Sequence, residues 1–450
     1  MRRSHATIFA LSSGAGRAGV AVIRLSGARS RFVLETMAGQ LPEPRVASLR
    51  SIRDQHGHVV DRGLVLWFPG PNSFTAEDSA EFHVHGSMAV TNDIMTVLAS
   101  FEGCRVAEPG EFARRAFENG KLDLTAVEGL ADLIDAETTA QRRAALRQAD
   151  GGLRRLYEAW RGDLLKAMAF VEAGIDFTDE GDIADAVIGE ALPLVQSIRR
   201  QIKAHLAQSG RARRLRNGIT VCLAGPPNVG KSSLMNWLAE REVSIVDSTA
   251  GTTRDRLEAK IVLDGVPVTV IDTAGLRSEP ESAVEVEGIA RTQDALQMAD
   301  IIIWMDSVDQ PPDMVAGIGD AIDSEIQQIK VLTKIDLLDG HPNTKMDSDV
   351  IGISVWDGLG LDVLLNRLNS LVVGVAGLTE NPTASRQRHV DLLSACLVSL
   401  AEADQRDLLV EPELLAEALR SAADALGRLT GRIDVEDVLG AIFSEFCVGK

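Results

Sequence analysis

Eight residues, Gly225-Pro-Pro-Asn-Val-Gly230-Lys231-Ser232, match GxxxxGK[ST] and are preceded by the apolar run Ile219–Ala224. Chemistry with a polyphosphate needs this pattern. Glycines let backbone N–H groups face anionic oxygens, and the helix opening at Ser233 adds positive potential. Lys231 reaches the β and γ phosphates, and the Ser232 hydroxyl can ligate Mg²⁺. An accidental glycine-rich turn is the alternative for this motif alone. Further along, Asp272-Thr273-Ala274-Gly275 follows the run Val268–Ile271. An Asp at a strand end can hold Mg²⁺ through water, and the Gly275 N–H can sense a third phosphate. Between the two lies Gly251-Thr252-Thr253-Arg254-Asp255, suited to a mobile loop whose Thr253 hydroxyl closes on metal and phosphate.

Base choice falls to Thr333-Lys334-Ile335-Asp336. The Asp336 carboxylate can accept from the ring N–H and exocyclic amine of guanine, a donor pair that adenine lacks, so a buried acceptor there selects GTP over ATP. The usual motif of such sites is Asn-Lys-x-Asp, and Thr333 departs from it. Ser354, in Ile353-Ser-Val-Trp-Asp-Gly, stands where GTPases place a Ser-Ala pair against guanine, with Val355 in place of Ala. The residue after Gly275 is Leu276, which cannot orient water, so another group must. Glu279, Glu281, Glu285 and Glu287 are the nearby acids.

These groups need a scaffold that switches character along the chain. Residues up to about 118 mix β-like runs (Thr7–Leu11, Val20–Leu25, Leu64–Phe68) with Gly and Pro turns, which reads as an α+β domain. From 119 to 217 the period is helical, with Leu153, Leu156, Trp160, Leu164, Met168 and Val171 on one face. Residues 218–373 alternate strands with helices, the pattern of a mostly parallel sheet. From 374 to 450 the helical period returns at Leu415, Leu419, Ala422 and Leu426. Two amphipathic segments, each needing an apolar partner, imply one helical domain interrupted by an inserted P-loop α/β domain. The basic stretch Arg211–Arg216 could touch RNA, but as a linker into that insertion it reads as a solvated hinge.

Bulk properties narrow the classes. The chain has 450 residues and a formal charge of −19, so its overall field repels nucleic acid and any RNA contact must be local or assisted by a partner. Cys104, Cys222, Cys396 and Cys447 form no CxxC pair, which argues against a zinc site or a disulfide framework and for a reducing compartment. The apolar run Ile8–Leu11 is too short for a signal peptide, and 18 consecutive apolar residues occur nowhere. No GxGxxG follows a strand, so the chain is not expected to hold FAD or NAD itself. Glu81, His83 and His85 could form a metal triplet, but alternation on a strand accounts equally for their shared face.

Beyond the nucleotide motifs, Gly19-Val-Ala-Val-Ile-Arg24-Leu-Ser-Gly27, Phe68-Pro-Gly-Pro-Asn-Ser-Phe-Thr75, Glu108-Pro-Gly-Glu-Phe112, Lys121-Leu-Asp-Leu124 and the terminus Phe446-Cys447-Val448-Gly449-Lys450 closely resemble the tRNA-modification GTPase family MnmE (TrmE), over essentially the whole chain. The resemblance implies a Ras-like G domain that binds GTP through Asn228, Val229, Gly230, Lys231, Ser232 and Ser233, through Asp247, Ser248, Thr249, Ala250, Gly251, Thr252 and Thr253, and through Asp272, Thr273, Ala274, Gly275, Thr333, Lys334, Asp336 and Ser354. Mg²⁺ falls to Ser232 and Thr253. K⁺ falls to Asn228 with the Asp247, Thr249 and Thr252 carbonyls, and the water-orienting carboxylate to Glu285. Arg24, Glu81, Lys121 and Lys450 are implied to hold a 5-formyltetrahydrofolate or related one-carbon folate, with Cys447 in the terminal motif; read alone, Arg24 and Glu81 are a surface ion pair. The family implies a cytoplasmic homodimer, dimerised through its N-terminal domain. With the FAD-dependent MnmG it would modify the wobble uridine of certain tRNAs at C5 with carboxymethylaminomethyl or aminomethyl groups. A ribosome-assembly or regulatory GTPase switch is the competing reading.

Overall fold

The computed structural model describes residues 6–176, 186–241, 258–273, 295–309, 326–338, 345–347, 350–377, 381–405, 412–433, 436–444, 446 and 448–449. Strands β1 (Thr7–Leu11), β2 (Ala18–Ser26), β3 (Ser48–Arg53), β4 (Val59–Phe68), β5 (Ser79–Gly86) and β6 (Cys104–Val106) form a sheet in the order β3-β4-β5-β2-β1-β6. All neighbours are antiparallel except β1 and β6. Period-2 alternation sends Phe9, Ile23, Leu25, Val65 and Phe82 to one face. There they meet Val33, Leu34 and Met37 of the helix Ser30–Ala38 and Ile94 and Leu98 of the helix Met88–Ala99. The same alternation puts Ala10, Arg24, Glu81 and Leu66 in one cross-strand row on the opposite face.

A second sheet contains β7 (Ile219–Ala224), β8 (Glu258–Leu263), β9 (Val266–Asp272), β10 (Ile301–Ser307), β11 (Gln327–Thr333), β12 (Lys345–Asp347) and β13 (Val350–Gly352), ordered β12-β13-β11-β10-β7-β9-β8. Its central pairs are parallel, and only β8–β9 and β12–β13 are antiparallel. Strands buried on both faces explain the near-continuous apolar runs in β7 and β10. Val221, Leu223, Val268, Val270, Ile303 and Met305 pack with Leu234 and Leu238 of the helix Lys231–Arg241 and with Leu364, Leu368 and Val372 of the helix Leu361–Ala376. That last helix runs past residue 373 and buries Ala376 in the same core.

The helix Gly152–Asp176 buries Leu153, Tyr157, Trp160, Leu164, Ala167 and Val171. Leu156 and Met168, assigned from sequence to this stripe, are only half-buried, because the helical period carries the stripe through Tyr157 and Ala167 instead. In the helix Pro412–Thr430, Leu415, Leu419, Ala422 and Leu426 are all buried, as their spacing implies. Arg211–Arg216 is not a linker; it forms the last turns of the 27-residue helix Ala191–Asn217. Arg, Ala and Leu are strong helix formers, Leu215 is buried, and no breaker occurs before Gly218. The helix Gln387–Gln405 packs on it, so the segment after the second sheet returns to the segment before it.

By their contacts the residues fall into two compact units. One comprises Met1–Ala131, Gln148–Glu172 and Ala416–Lys450; the other comprises Asp132–Arg147 and Ala173–Leu415. Within the second, the two points where the chain enters and leaves the seven-stranded sheet region share one carboxylate oxygen. Arg216 Nε and Arg386 Nη2 each donate to Asp132 Oδ1 at 2.8 Å. Arg214 Nε donates to Asp300 Oδ1 at 2.6 Å, while Asp300 Oδ2 accepts from the Thr220 N–H at 3.0 Å. Removing Asp132 takes the shared carboxylate from two arginines, of which Arg386 is largely buried. Asp132→Ala is therefore expected to cost about 3 kcal/mol, read as a lower urea midpoint for this unit. A change below about 0.5 kcal/mol, the level of an ordinary surface substitution, would make the contact a surface pair.

Candidate functional site

The phosphate-binding loop is forced into shape by what surrounds it. β7 ends at Ala224, fully buried, and Gly225 follows at φ +152°, where any added Cβ would overlap the Met305 carbonyl oxygen of β10. Only glycine can pass so close to the neighbouring strand. Asn228 is left-handed at φ +62°, and Val229 is buried. Lys231 opens the helix Lys231–Arg241, and its Nζ donates to the Gly225 carbonyl at 3.0 Å and the Pro226 carbonyl at 2.8 Å. The ammonium thus bridges the loop. Burial pulls Lys231 below the usual lysine value, with Asp272 and then Cys222 opposing the shift. Cys222, beneath the loop, is pushed up to about 12 by burial and then by Asp272, which keeps it an inert thiol.

Ser232 and Asp272 come together although 40 positions apart: Ser232 Oγ donates to Asp272 Oδ2 at 2.5 Å. The other oxygen, Asp272 Oδ1, is buried without a hydrogen-bond partner. A buried carboxylate oxygen left in that state is costly unless something charged faces it. A hydroxyl beside an orphan carboxylate oxygen suits a hard divalent cation that takes oxygen ligands, so these residues fit Mg²⁺. Thr273 anchors the end of β9 by donating from Oγ1 to the Leu223 carbonyl at 2.7 Å. Ser233 is exposed on the first turn of the helix.

The base-selecting loops are joined to this loop by Thr333. Its hydroxyl lies 2.7 Å from the Val229 carbonyl and 3.0 Å from that of Asp306, so one proton is shared between the phosphate loop and β10. The departure from Asn at this position therefore keeps the loop-to-loop tie. Lys334 is left-handed at φ +58° and pairs through Nζ with Asp309 at 2.8 Å. Ile335 N–H donates to the Ile353 carbonyl at 3.3 Å, setting the two loops side by side. The Asp336 carboxylate is exposed rather than buried as its role suggested: it becomes a buried acceptor only when a base covers it. Ser354 is fully buried, its N–H donating to the Leu359 carbonyl at 3.0 Å and its Oγ accepting from Asp357 N–H at 3.2 Å. Its own amide is spent on the loop; Val355 packs against the sheet core, and Trp356 faces outward. Trp356 is 91% exposed; sequence reasoning passes over it, and its place two residues after the anchoring serine was the available signal.

Asp247, Ser248, Thr249, Ala250, Gly251, Thr252, Thr253, Ala274, Gly275 and Glu285 lie outside the described residues, as do Cys447 and Lys450. On the other sheet, Arg24 Nη2 pairs with Glu81 Oε1 at 2.9 Å, and the guanidinium sits 5.4 Å from the Phe74 ring and 5.9 Å from the Phe112 ring. Glu81 Oε2 also meets His83 Nε2 at 3.0 Å, whereas His85 turns to Asp61 at 2.9 Å. The two histidines therefore do not converge, and among the described residues no group of three or more metal-ligating side chains forms. Lys121 is exposed, and its N–H donates to the Ala116 carbonyl at 2.8 Å. The chain terminus comes to this sheet: Val448 bridges to Pro109, and Ser12 Oγ donates to the Gly449 carbonyl at 2.9 Å, next to β1. Gly449 has φ +101°, and a Cβ there would overlap the Leu11 carbonyl oxygen.

Thr333→Val removes the proton shared by the Val229 and Asp306 carbonyls. Nucleotide-free stability should fall by about 1 to 2 kcal/mol, with GDP affinity falling several-fold by titration. Thr333→Asn, which can donate twice, should retain both, and equal losses in the two variants would refute the tie.

Protein-family models described as "GTP-binding protein TrmE N-terminus" and "MnmE helical domain" match residues 7–121 and 124–447. A tRNA modification GTPase MnmE from Brucella anthropi is 47% identical over 444 residues, covering 99% of this chain and 98% of the relative. One from Brucella canis is 46% identical over 446 residues, with the same coverage. Among solved structures, the G domain of the T. maritima FeoB iron transporter is 28% identical and covers 35% of this chain and 98% of its own, with a TM-score of 0.27.

Proposed function

The chain belongs to the MnmE family of tRNA modification GTPases, and from that premise we propose that it couples K⁺-stimulated GTP hydrolysis to modification of the wobble uridine of tRNA. The observation that carries the nucleotide half is the pairing of Ser232 with Asp272 beneath a lysine-bridged loop, with one carboxylate oxygen left for a cation. Phosphates entering the loop would meet its main-chain amides, and Lys231 supplies a buried positive charge with one N–H left to donate. Mg²⁺, when bound at Ser232 and Thr253, would neutralise charge on the β and γ oxygens. Asp336 accepts from guanine as the base excludes water from it. Asp336→Asn should therefore weaken GTP binding by about 100-fold or more and favour xanthosine triphosphate, whose 2-oxo group takes the new amide donor; undiminished GTP preference would remove Asp336 from base selection.

K⁺ held by Asn228 and the carbonyls of Asp247, Thr249 and Thr252 would supply part of the transition-state stabilisation that an arginine finger provides, a term worth about 10³ to 10⁵ in rate. The left-handed Asn228 at φ +62° supports this, because its side chain leaves the loop without lengthening it. Glu285 is assigned to orient water, and its remoteness from Asp272 in sequence ties chemistry to pairing of G domains in a homodimer. The Arg24–Glu81 pair close to two phenyl rings supports a one-carbon folate site completed by Lys121 and Lys450, with Cys447 in the terminal motif. The docked Val448 and Gly449 are consistent with that assembly. A FAD-dependent partner, MnmG, is assigned the redox half. We retain domains at 1–118, 119–217, 218–373 and 374–450, with the third extended by the helix ending at Ala376. A cytoplasmic place is part of this proposal; among the described residues no helix is long and apolar enough to cross a membrane.

GTP turnover is expected to be at least tenfold faster in K⁺ than in Na⁺, with Asn228→Ala abolishing the difference and Glu285→Ala slowing turnover in both salts. Equal wild-type rates in the two salts would remove the cation from the mechanism.

A further inference from the structure

The 27-residue helix Ala191–Asn217 carries Arg199, Arg200, Lys203, Arg211, Arg213, Arg214 and Arg216 and no Asp or Glu, in a chain whose formal charge is −19. At 1.5 Å per residue it is about 40 Å long. Two of its cations are consumed internally, Arg214 by Asp300 and Arg216 by Asp132. The outward face is different. Val195, Ile198 and Ile202 are buried, while Gln196, Arg200, Lys203, Ala204, Ala207 and Arg211 recur on the exposed side with a helical period. Arg213 is exposed too, but, two residues after Arg211, it points to another side of the helix. None of Arg200, Lys203, Arg211 and Arg213 has an ion-pair partner among the described residues.

A second basic helix meets the end of this one. Thr139–Ala149 also lacks any acid and carries Arg142 and Arg143, both exposed. Gln141 Nε2 donates to the Arg216 carbonyl at 3.0 Å, which brings its start against the end of the long helix. A merely solvated helix face gains stability from acid and base at i,i+4, and unrelieved like charges cost about as much as such pairs gain. Here that cost is borne along two helices. Ala204 and Ala207 leave the strip between the cations low, so a chain of anionic groups can approach the backbone closely. Charges beyond about 8 Å are screened at physiological salt, so a local strip can act although the whole molecule is acidic.

We propose that the strip formed by Arg200, Lys203 and Arg211, with Arg142 and Arg143 exposed on the adjoining helix, docks the phosphodiester backbone of the tRNA. This rests on the tRNA-modification reading and adds to it where the RNA lies. The contacts are to phosphate, so they position the RNA without reading its sequence. The strip also ends in the helix turn that enters β7, so RNA is held on the same element that leads into the nucleotide site.

The test is binding of labelled tRNA to the full chain, by anisotropy, across a KCl series. Arg200→Gln/Lys203→Gln/Arg211→Gln should bind at least tenfold more weakly, with the slope of log K against log salt reduced by about 2 to 3, as expected for three lost phosphate contacts. The loss should be similar for unrelated tRNAs. A matched variant at exposed arginines elsewhere, Arg31→Gln/Arg367→Gln/Arg420→Gln, should match wild type. Unchanged GDP affinity in the first variant shows that it is folded. Wild-type binding that survives the three substitutions overturns this inference alone. Wild-type protein that binds no tRNA overturns the tRNA-modification reading and this inference together. Retained tRNA affinity with lost binding of an acidic protein partner overturns it in favour of that partner.

Discussion

The rest of the G-domain site depends on how closely one backbone turn passes another: Gly225 runs under the Met305 carbonyl of β10 with no room for a side chain. Parallel neighbours on both sides of β7 hold that approach in place. Once Gly225 is held there, the loop must climb through a left-handed Asn228 to reach the helix at Lys231. The buried ammonium and the Ser232 hydroxyl are then positioned by the protein's own contacts rather than by ligand. Such preorganisation is what makes electrostatic stabilisation effective, since no dipole has to turn when charge arrives.

Two buried groups are costly in the protein alone. Lys231 is desolvated, and Asp272 keeps an oxygen without a hydrogen-bond partner. They partly offset each other, since Asp272 opposes the downward shift of Lys231. The remaining cost is recovered when phosphate and a divalent cation arrive together, which favours binding of the pair over either alone. Thr333 links this arrangement to the base-selecting loop through a single proton shared by two carbonyls. A loop displaced at one end is therefore felt at the other.

How much was legible in the sequence follows from how local each signal is. The phosphate loop, the Asp at the end of β9 and the strands around them were readable, because glycine spacing and apolar runs are properties of short windows. The stripe in Pro412–Thr430 was readable for the same reason. The stripe in Gly152–Asp176 was displaced at Leu156 and Met168, since a window gives the helical period better than its phase. Arg211–Arg216 read as a linker because charge density suggests solvent, whereas one buried leucine and good helix formers continue the helix. Asp132 could not be found: its partners are 84 and 254 positions away. Trp356 was overlooked because exposure is a property of the folded loop and not of the residue.

The joint at Asp132 also constrains what nucleotide-dependent movement can do. A single residue, Gly218, separates the end of the helix Ala191–Asn217 from the start of β7. Arg214 holds Asp300, which in turn accepts from Thr220 on β7. Helix and strand are thus connected by covalent chain and by an ion pair, with little slack in either. A flexible linker would absorb a shift of β7; this junction passes it to the helix. Asp132 grips the returning chain at Arg386 as well, so both crossings would have to move together or the carboxylate would lose one arginine. Losing a partner from a largely buried pair costs several kcal/mol, comparable to the differential binding energy a nucleotide needs to switch a two-state element. The joint therefore favours concerted displacement of the helix with the sheet over independent bending of either crossing.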